Sequence, residues 1–223
     1  MISEIKNVYP INCRSVFQSL SSKDIETEMY RDIYYFSNDW VSDNERYWID
    51  TISSYISPIN DINVLEIGAF EGRLTVFLHD TVLINNVCDY YCIDNFGKSD
   101  NKFFLEKGIN KKYDNLAAKR RFLHNTRNLK NVKLIEDSFN LSIVPENILF
   151  DIIILDTTSE TMLSYVKDCI NIIKPHGLIL ITYEINIHQM SKLKKIIPIN
   201  FKLKTKFCRN KKTFYGIYIQ FLG

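Results

Sequence analysis

Apolar and polar positions along the chain follow two periods. Short β-branched runs occur at 64–67, 90–93, 132–135, 152–155 and 178–182, with segments of helical character between them at 73–79, 116–125 and 161–173. Apolar strands alternating with amphipathic helices predict a parallel sheet covered on both faces. Upstream, Tyr47, Trp48, Ile52, Tyr55 and Ile56 fall near one face at helical spacing, so 43–56 reads as a helix. Ser57-Pro58 and Asn60-Asp61 end it. The final segment changes period. Residues 201–208 alternate apolar and basic, Asn210-Lys211-Lys212 reads as a turn, and 214–221 alternate again, which predicts an antiparallel β-hairpin. The expected organisation is an N-terminal helical extension over 1–58 and one α/β domain over 59–223.

Composition changes this picture little. A chain of 223 residues with 46% hydrophobic and 24% charged residues can bury one ordinary globular core. No run approaches the roughly 20 apolar residues of a membrane span. The opening residues, Met1 to Lys6, lack the basic-then-apolar layout of a secretory leader. A cytoplasmic protein is therefore expected. Cys13, Cys88, Cys92, Cys169 and Cys208 are odd in number and form no Cys-x-x-Cys pair, which argues against a disulfide framework or a zinc site. The net charge of +2 points to no partner. A late basic cluster (Lys192, Lys194, Lys195, Lys202, Lys204, Lys206, Arg209, Lys211, Lys212) raises contact with nucleic acid as an alternative. Against it, Lys202, Lys204 and Lys206 alternate with Phe201, Leu203 and Phe207, as on a solvated strand face.

Candidate chemistry gathers where the strands end. The first run leads into Glu66-Ile67-Gly68-Ala69-Phe70-Glu71-Gly72 and then a helix. Glycines at a strand-to-helix turn allow sharp bending and close approach to a ligand. A dinucleotide fingerprint would be Gly-x-Gly-x-x-Gly, whereas this loop reads Gly-x-x-x-Gly. Glu66 and Glu71 would repel a pyrophosphate, which needs bare amides at a helix N-terminus, and would favour a cationic ligand. The second run ends in Asp94-Asn95, about 20 residues beyond the glycine turn, where a carboxylate is placed to accept a pair of ribose hydroxyls. The third ends in Asp137-Ser138 and the fourth in Asp156. Polar tips on four strands satisfy the rule that open α/β sheets bind ligands beyond their carboxyl ends.

This combination resembles the class I S-adenosylmethionine-dependent methyltransferases, whose Rossmann-like, seven-stranded, mostly parallel sheet ends in an antiparallel hairpin. The likeness covers roughly residues 60 to 185 and is closest to O-methyltransferases of sugars, macrolides and catechol-like hydroxyls. Asp94-Asn95-Phe96, the run from Arg121 to Asn125, the run from Val132 to Ser138, the strand ending in Asp156, and Ile173-Lys174-Pro175-His176-Gly177 carry it, in that order. The resemblance implies S-adenosylmethionine as cofactor. Its contacts would be Glu66, Gly68, Ala69, Phe70, Gly72, Asp94, Asn95, Asp137, Ser138 and Asp156, with the adenine amino group near Asp137. It further implies a small-molecule acceptor, most plausibly a hydroxyl.

Two departures bear on the chemistry. Relatives usually follow the fourth-strand Asp with Gly-Asp-His or Gly-Ser-His, while here Thr157-Thr158-Ser159 follows Asp156. Their fifth strand usually ends in a carboxylate pair that holds a divalent metal, while here Thr182, Tyr183 and Glu184 stand. Asp156 and Glu184 are the two oxygen ligands left for a metal, and no dedicated metal site is expected. The candidate bases at the carboxyl edge are Asp156, Tyr183, Glu184 and His188. His176 precedes the fifth strand, and His79 and His124 lie on predicted helices. The N-terminal aromatics (Tyr30, Tyr34, Tyr35, Phe36, Trp40, Tyr47, Trp48) suit a lid or the contact of a homodimer. RNA methylation and a non-catalytic S-adenosylmethionine-binding module are the alternative functions.

Overall fold

The structure, a computed structural model, describes residues 34, 36, 41, 45–56, 61–96, 115–157, 159–182, 185–209 and 213–222. Of the N-terminal extension, it therefore covers three single residues and the helix α1 (Glu45–Ile56). The chain divides into two compact units, each assembled from separate stretches.

One unit, 61–68, 87–95 and 133–223, carries the sheet. Its strands are β1 (Asp61–Ile67), β2 (Val87–Ile93), β3 (Val132–Ile135), β4 (Phe150–Leu155), β5 (Ile173–Ile181), β6 (Ile185–Asn186), β7 (Phe201–Arg209) and β8 (Thr213–Phe221). The order is β3-β2-β1-β4-β5-β8-β6, with β7 also paired to β8. β1 pairs in parallel with β2 and β4, and β4 with β5, while β8 runs antiparallel to β5, β6 and β7. This is the mostly parallel sheet with a terminal antiparallel hairpin expected from the pattern. The eighth strand is the two-residue β6, which pairs with the start of β8.

Side chains alternate between the two faces of the sheet, and in β1, β2, β4 and the end of β5 both sets are buried, which is why those stretches read as largely apolar runs. Leu65, Ile67, Tyr91, Ile93, Ile153, Leu155, Ile179, Ile181, Ile217 and Ile219 join one core with Met162, Val166 and Cys169 of α4 (Ser159–Cys169) and with Met190 and Leu193 of α5 (Ile187–Ile196). Val64, Glu66, Tyr90, Cys92, Ile152, Ile154, Leu178 and Leu180 form the opposite, equally buried set.

The other unit, 1–60, 69–86 and 96–132, contains α1, the short helix α2 (Arg73–Phe77) and α3 (Asn115–Thr126). The single helix expected at 73–79 is instead α2 followed by a π-helical turn over Leu78–Val82. The Thr81 hydroxyl donates back to the Phe77 carbonyl inside that turn. Widened turns of this kind locally re-aim a helix. Trp48, Ile52 and Ile56 of α1, all of α2, and Ala117, Ala118 and Phe122 of α3 are buried.

Three sequence expectations change. The fifth strand begins at Ile173 and not at 178, so His176 lies within β5, exposed and at φ 66, beside a register shift between β4 and β5. The helix expected over 161–173 runs from Ser159 to Cys169 for the same reason. Helix α5 was not read from the sequence, and it places His188 in its first turn, exposed, instead of in a loop. No helix among the described residues is long and apolar enough to cross a membrane.

Candidate functional site

The carboxyl ends of β1 to β5 are held side by side by main-chain bonds that extend past the strands themselves. Gly68 N donates to Ile93 O at 2.8 Å, Asp156 N to Ile67 O at 2.9 Å, Thr182 N to Leu155 O at 3.2 Å, and Asp94 N to Ile135 O at 3.2 Å. Asp94, Asn95, Gly68, Asp156 and Thr182 thus line one sheet edge, with Asp137 and Ser138 beyond β3. The sequence reasoning assigned all of these except Thr182 to one site.

Glu66 is not an exposed end-of-strand carboxylate. It is 1% exposed, and the hydroxyl of the fully buried Tyr90 donates to its Oε2 at 2.6 Å. Asp94 and Asn95 are half-buried at the end of β2. Asn95 Nδ2 donates to Ser138 Oγ at 2.9 Å, which ties the ends of β2 and β3 together. Asp137 and Ser138 are exposed, and Asp137 Oδ1 accepts the Ser138 amide at 2.7 Å.

Asp156 is a strongly perturbed acid at this edge. Burial pushes its carboxyl up to about 6; the Thr182 hydroxyl, which donates to Oδ1, pulls it back, and the Asp94 charge adds to the rise. Thr182 Oγ1 occupies an oxygen of Asp156. Among the described residues no three His, Cys, Asp or Glu gather as a metal cluster. Glu184, the second metal-ligand and base candidate, and Tyr183 lie outside the described residues.

The two loop glycines answer to packing. Gly68 sits at φ 92, and a Cβ there would lie 2.0 Å from the main-chain oxygen of Asp156. Gly72, at φ 75, begins α2, and its Cβ would press on Phe122 and Thr126 of α3 at 3.2 Å. Ala69, Phe70 and Gly72 belong to the helical unit, and Phe70 also adopts a left-handed conformation, φ 50. Within that unit the loop is clamped to α3. Arg121 Nη1 donates to Glu71 Oε1 at 2.6 Å, and the buried Asn125 donates to the Glu71 carbonyl at 2.8 Å. Glu71 therefore does not act as the uncompensated negative charge that its sequence position suggested, because Arg121 matches it.

Tyr90 and Thr182 join the residues of the sheet edge, and Arg121, in the helical unit, is the partner of Glu71. Tyr90 and Arg121 meet their partners only through strand register and helix packing, for which no local motif exists. Thr182 was visible as a departure from the metal-binding pattern.

No protein-family profile matches the chain, and no curated protein sequence matches it. Solved structures do. An O-methyltransferase from Bacillus cereus in complex with SAH is 11% identical, covering all of this chain and 95% of its own, with a TM-score of 0.55. A ribosomal protein L11 methylase from Lactobacillus delbrueckii subsp. bulgaricus is 15% identical, covering 84% and 81%, with a TM-score of 0.56. Cofactor-bound Rv0187 from MTB is 12% identical over 90% and 85%, with a TM-score of 0.53. At these identities the likeness is one of fold. The chain has the Rossmann-like fold of the methyltransferases.

Proposed function

We propose that this chain is an S-adenosylmethionine-dependent methyltransferase that acts on a hydroxyl of a small molecule. The observation that carries the reading is the acidic sheet edge. Glu66, Asp94, Asp137 and Asp156 stand at the ends of β1 to β4, joined by Asn95, Ser138 and Thr182 and by no lysine or arginine at the strand tips. This donor set suits a ligand that bears a sulfonium, an ammonium and a ribose diol, and it opposes a pyrophosphate. Glu66 faces the ammonium, Asp94 accepts the ribose hydroxyls, and Asp137 with Ser138 borders the adenine.

The cofactor, when bound, supplies a methyl group already activated for displacement. The protein's share is to hold the acceptor in line and to take its proton, and orientation alone provides much of the acceleration. Asp156 is the preferred proton acceptor. A carboxyl raised to about 6 is a stronger base than an ordinary aspartate and remains largely ionised at neutral pH. His188 is the weaker candidate, being exposed in the first turn of α5.

Two substitutions test these roles. Asp94→Ala weakens S-adenosylmethionine affinity at least about tenfold in a calorimetric titration, the scale of losing charge-assisted bonds to a hydroxyl pair; unchanged affinity contradicts the assignment. Asp156→Asn makes the ligand-free protein more stable at pH 8 while abolishing transfer. The folded pKa of Asp156 lies above its unfolded value, so ionisation opposes folding and stability falls as pH rises from about 4 through about 6. The asparagine variant escapes that loss. Its advantage, on the order of 2 kcal/mol at pH 8, shrinks through pH 6 and vanishes below about 4. Thermal melts across that range read it directly, and an advantage independent of pH contradicts the account.

RNA methylation is the second reading, supported by one observation. Lys167, Lys192 and Lys195 line a groove of about 390 Å³ between α4 and α5, floored by Leu163 and Ile196. The groove holds no aromatic or arginine side chain on which a base would stack, and the small-molecule reading is preferred. Salt-dependent retention on RNA would reverse that preference.

A further inference from the structure

Among the described residues Tyr90 is the bulkiest of the wholly buried side chains, and it lies on the same sheet face as Glu66. β1 and β2 pair in parallel with Val64 opposite Tyr90 and Glu66 opposite Cys92. The phenol therefore reaches two residues along the ladder, toward the carboxyl edge, to donate to Glu66 Oε2 at 2.6 Å. Each group answers a need of the other. A phenol fully removed from water requires an acceptor, and a carboxylate buried as deeply as Glu66 requires a donor. Burial, followed by the charge of Glu66, pushes the Tyr90 hydroxyl well above the ordinary tyrosine range.

We propose that Tyr90 is a positioning residue of the cofactor site, whose hydroxyl fixes the rotamer of Glu66 and directs its carboxylate toward the ammonium of the methionyl end. The inference rests on the function proposed above. It adds a second residue, 24 positions away in sequence, to the site on β1. Tyr90 touches neither cofactor nor acceptor in this account. A phenylalanine at the same place fills nearly the same volume, so a purely space-filling role predicts no change when the hydroxyl is removed.

The test is a cycle of four proteins: wild type, Tyr90→Phe, Glu66→Gln and the double variant, each titrated with S-adenosylmethionine by calorimetry. Tyr90→Phe weakens binding about 5- to 10-fold, Glu66→Gln weakens it tenfold or more, and the double variant binds no worse than Glu66→Gln, because the phenol acts only through the carboxylate. Affinity of Tyr90→Phe within twofold of wild type overturns the proposal, as does a Tyr90→Phe loss that persists undiminished in the Glu66→Gln background. If Tyr90→Phe does not fold, near-UV circular dichroism of the other two folded proteins decides. A tyrosine band that shifts with ligand in wild type and not in Glu66→Gln supports the coupling, and identical shifts overturn it. A wild-type chain that does not bind S-adenosylmethionine contradicts the proposed function itself, whereas binding without coupling contradicts only the role of Tyr90.

Discussion

Gly68→Ala lowers the thermal midpoint by about 10 °C and abolishes cofactor binding, because the added methyl group enters space already held by main chain. Its Cβ would lie 2.0 Å from the Asp156 oxygen and 2.8 Å from the Asp156 carbonyl carbon. Neither atom can retreat cheaply. Asp156 N is bonded to Ile67 O and Gly68 N to Ile93 O, so relief means parting β1 from β4 at the edge that holds the acidic residues. The φ of 92° adds strain of order 1–3 kcal/mol for any residue with a Cβ. Together these place the loss at about 3–5 kcal/mol, in the upper range for single substitutions. A melt followed by a titration measures both effects, and a midpoint within two or so degrees of wild type would show that the strand ends are not packed as described.

Arg121→Met destabilises the helical unit by a similar amount through a different cause. Glu71 is 1% exposed, and the Arg121 side chain that neutralises it is 13% exposed, with 2.6 Å between nitrogen and oxygen. Removing one partner of a buried pair leaves the other's charge less compensated and typically costs about 3–5 kcal/mol. Replacing both, as Glu71→Leu with Arg121→Met, removes that buried charge and recovers most of the loss, because the cost lies in the desolvated anion and not in the absent contact. Denaturant unfolding of the two single variants and the double variant reads the non-additivity. Equal and additive losses would mean that the two side chains contribute independently.

Much of the fold was legible because burial on both faces writes itself into composition. β2 and β4 each carry a single charged residue, Asp89 and Asp151, and the hairpin of β7 and β8 shows the alternation of strands with one wetter side. The misreadings have physical causes. The start of β5 was hidden by Pro175-His176-Gly177, a sequence that normally breaks a strand and here accompanies the register shift against β4. Helix α5 was hidden by its polarity, since only Met190 and Leu193 are fully buried in it. Its start signal was nonetheless present. Asn186 and Gln189 form a reciprocal capping box, with bonds of 3.0 and 2.8 Å.

The candidate site divides in the same way. Asp94, Asp137, Ser138 and Asp156 were readable because a strand end is a position in sequence as well as in space. The partners that tune them were not. Tyr90 meets Glu66 through register, Thr182 meets Asp156 across neighbouring strands, and Arg121 meets Glu71 from a helix 50 residues on. The glycines were read correctly as a sharp turn, yet the structure assigns their missing side chains to the Asp156 carbonyl and to Phe122 and Thr126.

The central claim is that the acidic edge of this sheet is a site for a cationic nucleoside and not for a dinucleotide. One calorimetric comparison addresses it most directly: the full chain titrated separately with S-adenosylmethionine, S-adenosylhomocysteine and NAD. The account predicts saturable binding of the first two, lost or strongly weakened in Asp94→Ala, and no binding of the third. Binding of NAD without S-adenosylmethionine, or binding of neither, would contradict it.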